Sequence, residues 1–157
     1  MTRIRLLYLL SGLAVASFAP FASVILADRG FDATAIGLVY AVTCLVYIVA
    51  VPAWGHLADV VLGRSRALRV AMLASGGLLL LFVLPLPLPL LGLVYVGYAI
   101  CFGAAGPLSD ALAVNALQDP GRQYGQVRAL LSASFTVIAV GLGFWYGAVG
   151  YWPAPIL

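Results

Sequence analysis

Long apolar runs, broken by short segments rich in proline, glycine and charge, set the rhythm of this chain. The runs fall at residues 6–27, 36–61, 67–84, 90–117 and 127–147. An α-helix needs about 20 apolar residues to cross roughly 30 Å of hydrocarbon, so the pattern predicts five membrane-crossing helices and an all-α integral membrane fold. Charge is distributed unevenly over the breaks. Arg3 and Arg5 precede the first run, Arg64, Arg66 and Arg69 follow the second, and Arg122 and Arg128 flank the start of the fifth. The first break carries Asp28, Arg29 and Asp32, and the third, Pro85-Leu86-Pro87-Leu88-Pro89, carries no charge. Arginine-rich loops stay cytoplasmic. The amino terminus is therefore expected inside, the Asp28 loop outside, and Leu157 outside.

Composition sharpens this picture. Hydrophobic residues make up 64% of the chain and charged residues only 8%, with a mean hydropathy of +1.12, against roughly 25% charge in an ordinary soluble domain. All five acids are Asp and all eight bases are Arg, with no Lys or Glu to decorate water-exposed helices. The arginines cluster at run ends instead of forming one basic face, which argues against nucleic acid as a partner. Arg3 and Arg5 followed by an apolar stretch and Ser17-Phe18-Ala19 imitate a secretion signal. The run continues to Ala27, long enough to span, so a retained first helix is expected. Cys44 and Cys101 sit mid-run without metal or CxxC spacing, and neither a disulfide, a metal nor a cofactor is expected. Tyr8, Trp54, Tyr95, Tyr98, Tyr124, Trp145, Tyr151 and Trp152 read as interfacial anchors, and the glycines within the runs read as points of close helix approach.

Two charges inside apolar runs carry the candidate chemistry. Asp110 and Arg128 flank the polar turn Gln118-Asp119-Pro120-Gly121-Arg122. Eight residues before that turn and six after it correspond to about 9 to 12 Å of depth in antiparallel helices at about 1.5 Å per residue. Charges within a bilayer are expensive and tend to face an interior or a watery cavity. Arg128, Ser132 and Phe135 follow i, i+4, i+7 spacing, placing a guanidinium, a hydroxyl and a ring on one helical stripe. The planar guanidinium suits vicinal hydroxyls or a carboxylate, and Asp110 accepts hydrogen bonds while balancing its charge. Pro107, three residues before Asp110, should kink the fourth helix. A purely structural pair holding the fourth and fifth helices together is the competing reading. Asn115 lies on another face of an ideal helix. Asp59 near the carboxyl end of its helix needs a partner such as Arg64, Arg66 or another helix's amino end, and His56, the single histidine, reads as an interfacial side chain.

Gly55-His56-Leu57-Ala58-Asp59 followed by Gly63-Arg64-Ser65-Arg66 resembles the G-x-L-a-D-x-x-G-R-[RK] loop between the second and third helices of the major facilitator superfamily. Val60, Val61 and Leu62 make three residues between Asp59 and Gly63 where that pattern has two. Pro107-Leu108-Ser109-Asp110-Ala111, Tyr124-Gly125-Gln126-Val127-Arg128, Ser132 and Phe135 resemble the fourth and fifth helices of the lactose permease and phenylpropionate permease-like branch. Phe18-Ala19-Pro20-Phe21 and Pro52-Ala53-Trp54-Gly55 resemble its first two helices. The resemblance implies that Asp110, Arg128, Ser132 and Phe135 bind substrate, and that Gly55, Asp59, Gly63 and Arg64 form a cytoplasmic gating loop that latches against a second bundle. It also implies a six-helix amino-terminal bundle, of which the sixth helix and the second bundle are expected to be absent from these residues.

The function expected is therefore part of a secondary active transporter in the cell inner membrane. It would be a proton-coupled symporter of a small sugar, nucleoside or aromatic acid, working by alternating access about a midplane site. Its expected partners are the solute, protons, the bilayer and the missing second bundle. A small non-transporting protein acting as a helix-packing scaffold is the alternative. An enzyme is not expected, because the chain has one His, no Glu and no G-x-G-D pair of aspartates.

Overall fold

A computed structural model describes residues 2–151, 153, 154 and 156, without the side chains of Thr2 and Arg3. The expected anchor Trp152, the terminal Leu157 and the Arg3 side chain lie outside the described residues. Among the described residues there is no strand. The helices are α1 (Thr2–Phe18), α2 (Ala22–Asp28), α3 (Ala33–His56), α4 (Arg64–Leu80), α5 (Leu88–Gly103), α6 (Ala105–Ala116) and α7 (Pro120–Val149). Short 3-10 turns at Ala19–Phe21 and Leu81–Val83 and a π-helical turn at Leu57–Leu62 extend three of them. Among the described residues, five stretches are long and apolar enough to cross a membrane: Ile4–Asp28, Ala33–Leu62, Arg64–Val83, Leu88–Ala116 and Pro120–Val149. The protein is a multi-pass, all-helical membrane protein.

The breaks have local causes. Asp32 caps α3, its Oδ1 accepting from the Ala35 amide at 2.7 Å; such caps satisfy an amide with no partner inside the helix. Pro107 has no N–H to donate to the Gly103 carbonyl four residues back. The fourth span accordingly breaks there, α5 ending at Gly103 and α6 starting at Ala105, and the ladder resumes with the Leu108 amide donating to the Ala104 carbonyl at 3.1 Å. The fifth span starts at Pro120, earlier than residue 127. Asp119 caps it by accepting from the Arg122 amide at 3.3 Å, and Pro120 stands in its first turn, where a missing N–H does no harm. Of the polar segment read as a turn, Gln118 and Asp119 precede the helix, whereas Pro120, Gly121 and Arg122 belong to its first turn, which hydropathy does not mark because this end of α7 is polar.

The helices group into two compact units, Met1–Asp28 with Ala113–Leu157, and Arg29–Leu112. In the first, α1 and α7 run parallel. Tyr8 packs in a buried cluster with Val127, Ala113 and Leu117, Gly12 lies against Ser134, and the Tyr146 hydroxyl donates to the Ser17 carbonyl at 2.9 Å, so positions advance together along both helices. Phe21 meets Tyr146 edge-on at 4.9 Å.

In the second unit α5 is the central helix. It runs parallel to α3, with Gly92 against Val39 and Gly103 against the Tyr47 ring, and antiparallel to α4, with Gly97 against Leu78 and Tyr95 against Phe82. Tyr95 also meets Tyr40 edge-on at 5.6 Å. The Arg29 Nη1 donates to the Leu84 carbonyl at 3.1 Å, tying the first and third breaks together at one end. Tyr8, Tyr95 and Tyr98 are buried, a correction to their reading as interfacial anchors: each ring is used in helix packing. Leu45, Ile48 and Val49 on α3 are 66%, 70% and 71% exposed, which suits a lipid solvent and not water.

Candidate functional site

The residues expected to form a gating loop come together at the end of α3. The π-helical turn Leu57–Leu62 carries Asp59, and Gly63 ends it with φ 78 and ψ 143, a conformation open essentially to glycine alone. A π turn holds one more residue per hydrogen-bonded ring than an α turn. It thus absorbs the third residue that separates Asp59 from Gly63, the position at which the sequence departs from the two-residue spacer. Arg64 opens α4, and its Nε sits 2.9 Å from Asp59 Oδ1. A carboxylate at a helix carboxyl end and a cation at a helix amino end each oppose the local dipole, so the pair offsets both. Its side chains are 57% and 41% exposed, and exposed pairs contribute at most about 1 kcal/mol; the contact is weak enough to break. Arg66, the other arginine proposed for Asp59, is exposed. Val51, Trp54, Gly55 and the Asp59–Arg64 pair line a cavity of ≈ 120 Å³ whose far wall is Ala104, Pro107, Leu108 and Ala111. The helix break at Pro107 thus reaches the loop. His56 is exposed at the end of α3.

The residues expected to bind substrate are divided between the two units. Asp110 lies on α6 in the Arg29–Leu112 unit, half-buried and three residues beyond Pro107. Its neighbour Ser109 is 5% exposed, and its hydroxyl finds no hydrogen-bond partner among the described residues. Arg128, Ser132 and Phe135 lie on α7 in the other unit. They share one face, Arg128 and Ser132 exposed and Phe135 half-buried. Tyr124 extends this stripe by one turn: its hydroxyl accepts from Arg128 Nη1 at 3.5 Å. Tyr124 is expected as an interfacial anchor and as part of the fifth-helix motif but not as a site residue, and its i, i+4 relation to Arg128 is the signal that joins it to the stripe. Asn115 is exposed on α6.

This stripe can offer a solute a planar donor fork, a hydroxyl and a ring face along about 11 Å of helix. Within the first unit the end of α6 and the residue after it pack on α7, Ala113 and Leu117 sharing a buried cluster with Val127.

A model of the MFS_1 like family matches residues 1–152. Comparison with curated proteins and with solved structures gives no match.

Proposed function

Because the chain belongs to the MFS_1 like family, and so to the membrane transporters of the major facilitator type, we propose that Asp110, Arg128, Ser132 and Phe135 form the solute site of a proton-coupled symporter. The solute is a sugar, nucleoside or aromatic acid, as in the lactose permease and phenylpropionate permease-like branch. The observation that carries this reading is the face of α7 on which Arg128, Ser132 and Phe135 align inside an apolar span. A guanidinium there is expensive unless it has polar company. In the proposed cycle Arg128 grips hydroxyls or a carboxylate in a bidentate way, Phe135 stacks on the solute, and Asp110 accepts hydrogen bonds. The amino terminus lies in the cytoplasm of an inner-membrane protein, and a second helical bundle completes the cavity. Gly55, Asp59, Gly63 and Arg64 gate the cytoplasmic side by exchanging the Asp59–Arg64 contact for one with that bundle.

The test is Arg128→Lys, which keeps the charge and removes the fork. Cells producing a full-length version that carries the second bundle are assayed for uptake of lactose, adenosine and phenylpropionate. Membrane-inserted yield should stay within about twofold of the parent, while uptake of whichever solute is carried should fall at least about tenfold, the scale of one lost charge-assisted hydrogen bond. Loss of folded protein in place of lost uptake would favour the packing-scaffold reading.

A further inference from the structure

The parallel packing of α1 and α7 brings their amino-terminal ends to the same end of the first unit, and a polar cleft of ≈ 330 Å³ opens between them. It is lined by Arg5 from α1 and by Asp119, Arg122, Gln123 and Gln126 from α7 and its cap. Two guanidiniums face one carboxylate, and that carboxylate is already engaged: Asp119 Oδ1 accepts from the Arg122 amide at 3.3 Å. The Gln123 side-chain oxygen takes the Asp119 amide at 3.5 Å, which leaves its amide nitrogen as a donor. The cleft is therefore an array of donors with excess positive charge. Arg5 and Arg122 stand in the first turns of the spans Ile4–Asp28 and Pro120–Val149, and the ends of membrane spans are where headgroups are met. From Arg5 an apolar face continues along α1 through Leu6, Leu9, Leu10 and Leu13, 53%, 39%, 53% and 40% exposed.

From this arrangement we infer that the cleft binds a phosphate group, supplied by the headgroup of an anionic phospholipid whose acyl chains lie along that leucine face. Guanidinium forks match phosphate oxygens in pairs, and basic pockets between membrane helices are suited to anionic headgroups. A zwitterionic lipid would bring its own cation into a site that is already positive. The inference rests on the chain lying in a membrane and is independent of the solute reading.

The test uses the purified chain in neutral detergent, titrated with dioctanoyl phosphatidylglycerol, dioctanoyl phosphatidylcholine and inorganic phosphate, with binding read by native mass spectrometry and by the shift in unfolding temperature. Phosphatidylglycerol should bind saturably and stabilise, phosphatidylcholine should not, and inorganic phosphate should bind at least about tenfold more weakly than phosphatidylglycerol because it has no chains to bury. Arg5→Gln and Arg122→Gln should each raise the half-saturating phosphatidylglycerol concentration about tenfold, whereas Arg69→Gln, in the other unit, should leave it unchanged. If either arginine variant fails to fold, Gln126→Ala leaves both charges in place and should weaken binding about threefold, the scale of one neutral hydrogen bond. Equal binding of the two lipids, or arginine variants that bind like the parent, would overturn the site. Equal saturation by inorganic phosphate would overturn the lipid as its source.

Discussion

Gly12 shows how a single residue sets the distance between two helices. A Cβ there would collide with Ser134 Oγ and come within 2.7 Å of the Leu131 carbonyl oxygen, and the second of these is backbone that cannot rotate away. Gly12→Leu should therefore push α1 off α7 and destabilise the first unit by about 1 to 3 kcal/mol, the usual scale of overpacking. Thermal unfolding in detergent measures this, with Gly141→Ala as reference. A Cβ at Gly141 meets nothing within 4 Å, so that change should be neutral or mildly stabilising; an equal loss in both variants would remove the close-approach account. Gly63 is constrained by its backbone, not by its neighbours. Its Cβ would meet nothing within 4 Å, yet φ is +78. Gly63→Ala should cost about 1 to 3 kcal/mol through strain alone, read as a lower unfolding temperature. The same variant should loosen the Asp59–Arg64 contact, because Gly63 joins the turn holding one residue to the helix holding the other.

Among the elements, the split fourth span has the clearest physical origin. Pro107→Ala supplies the N–H that the Gly103 carbonyl lacks, so α5 and α6 should approach one continuous helix. The gain in stability should reach up to about 3 kcal/mol, seen as a higher unfolding temperature with a small rise in helical circular dichroism. Uptake in the same variant should fall, because the wall formed by Ala104, Pro107, Leu108 and Ala111 beside the Asp59–Arg64 pair would shift. Unchanged uptake would detach the break from the transport cycle. This break could be anticipated from sequence because proline acts through its own chemistry. The π turn at Leu57–Leu62 could not, since nothing in Val60-Val61-Leu62 distinguishes a widened turn from an α turn. What was visible was the extra residue, and the geometry that absorbs it appeared only in the folded helix.

At the scale of the whole molecule, the alternation of helix direction is open to direct measurement. Arginines at Arg5, Arg64, Arg66 and Arg122 mark one side, and Asp28 with the uncharged proline break marks the other. With Cys44 and Cys101 replaced by Ala, Ser65→Cys should react with a membrane-impermeant maleimide only when the cytoplasmic face is open, and Asp28→Cys only from outside; the reverse pattern would invert the proposed orientation. Parallel α1 with α7, parallel α3 with α5 and antiparallel α4 with α5 are the pairings that such alternation permits within each unit. The sequence by itself determined the five spans, the proline break in the fourth, and the alignment of Arg128, Ser132 and Phe135, because span length, a missing amide and helical period are properties of consecutive residues. Tertiary structure alone decided that Tyr8, Tyr95 and Tyr98 serve the packing, that Asp59 takes Arg64 at 2.9 Å, and that Arg5 and Arg122 share a cleft. The Asp59–Arg64 contact depends on how the π turn and Gly63 aim the start of α4, and the tyrosine packing and the cleft on which faces of distant helices meet. In lipid that choice rests on the fit of small residues such as Gly12, Gly97 and Gly103 against larger neighbours, which no stretch of apolar residues specifies on its own.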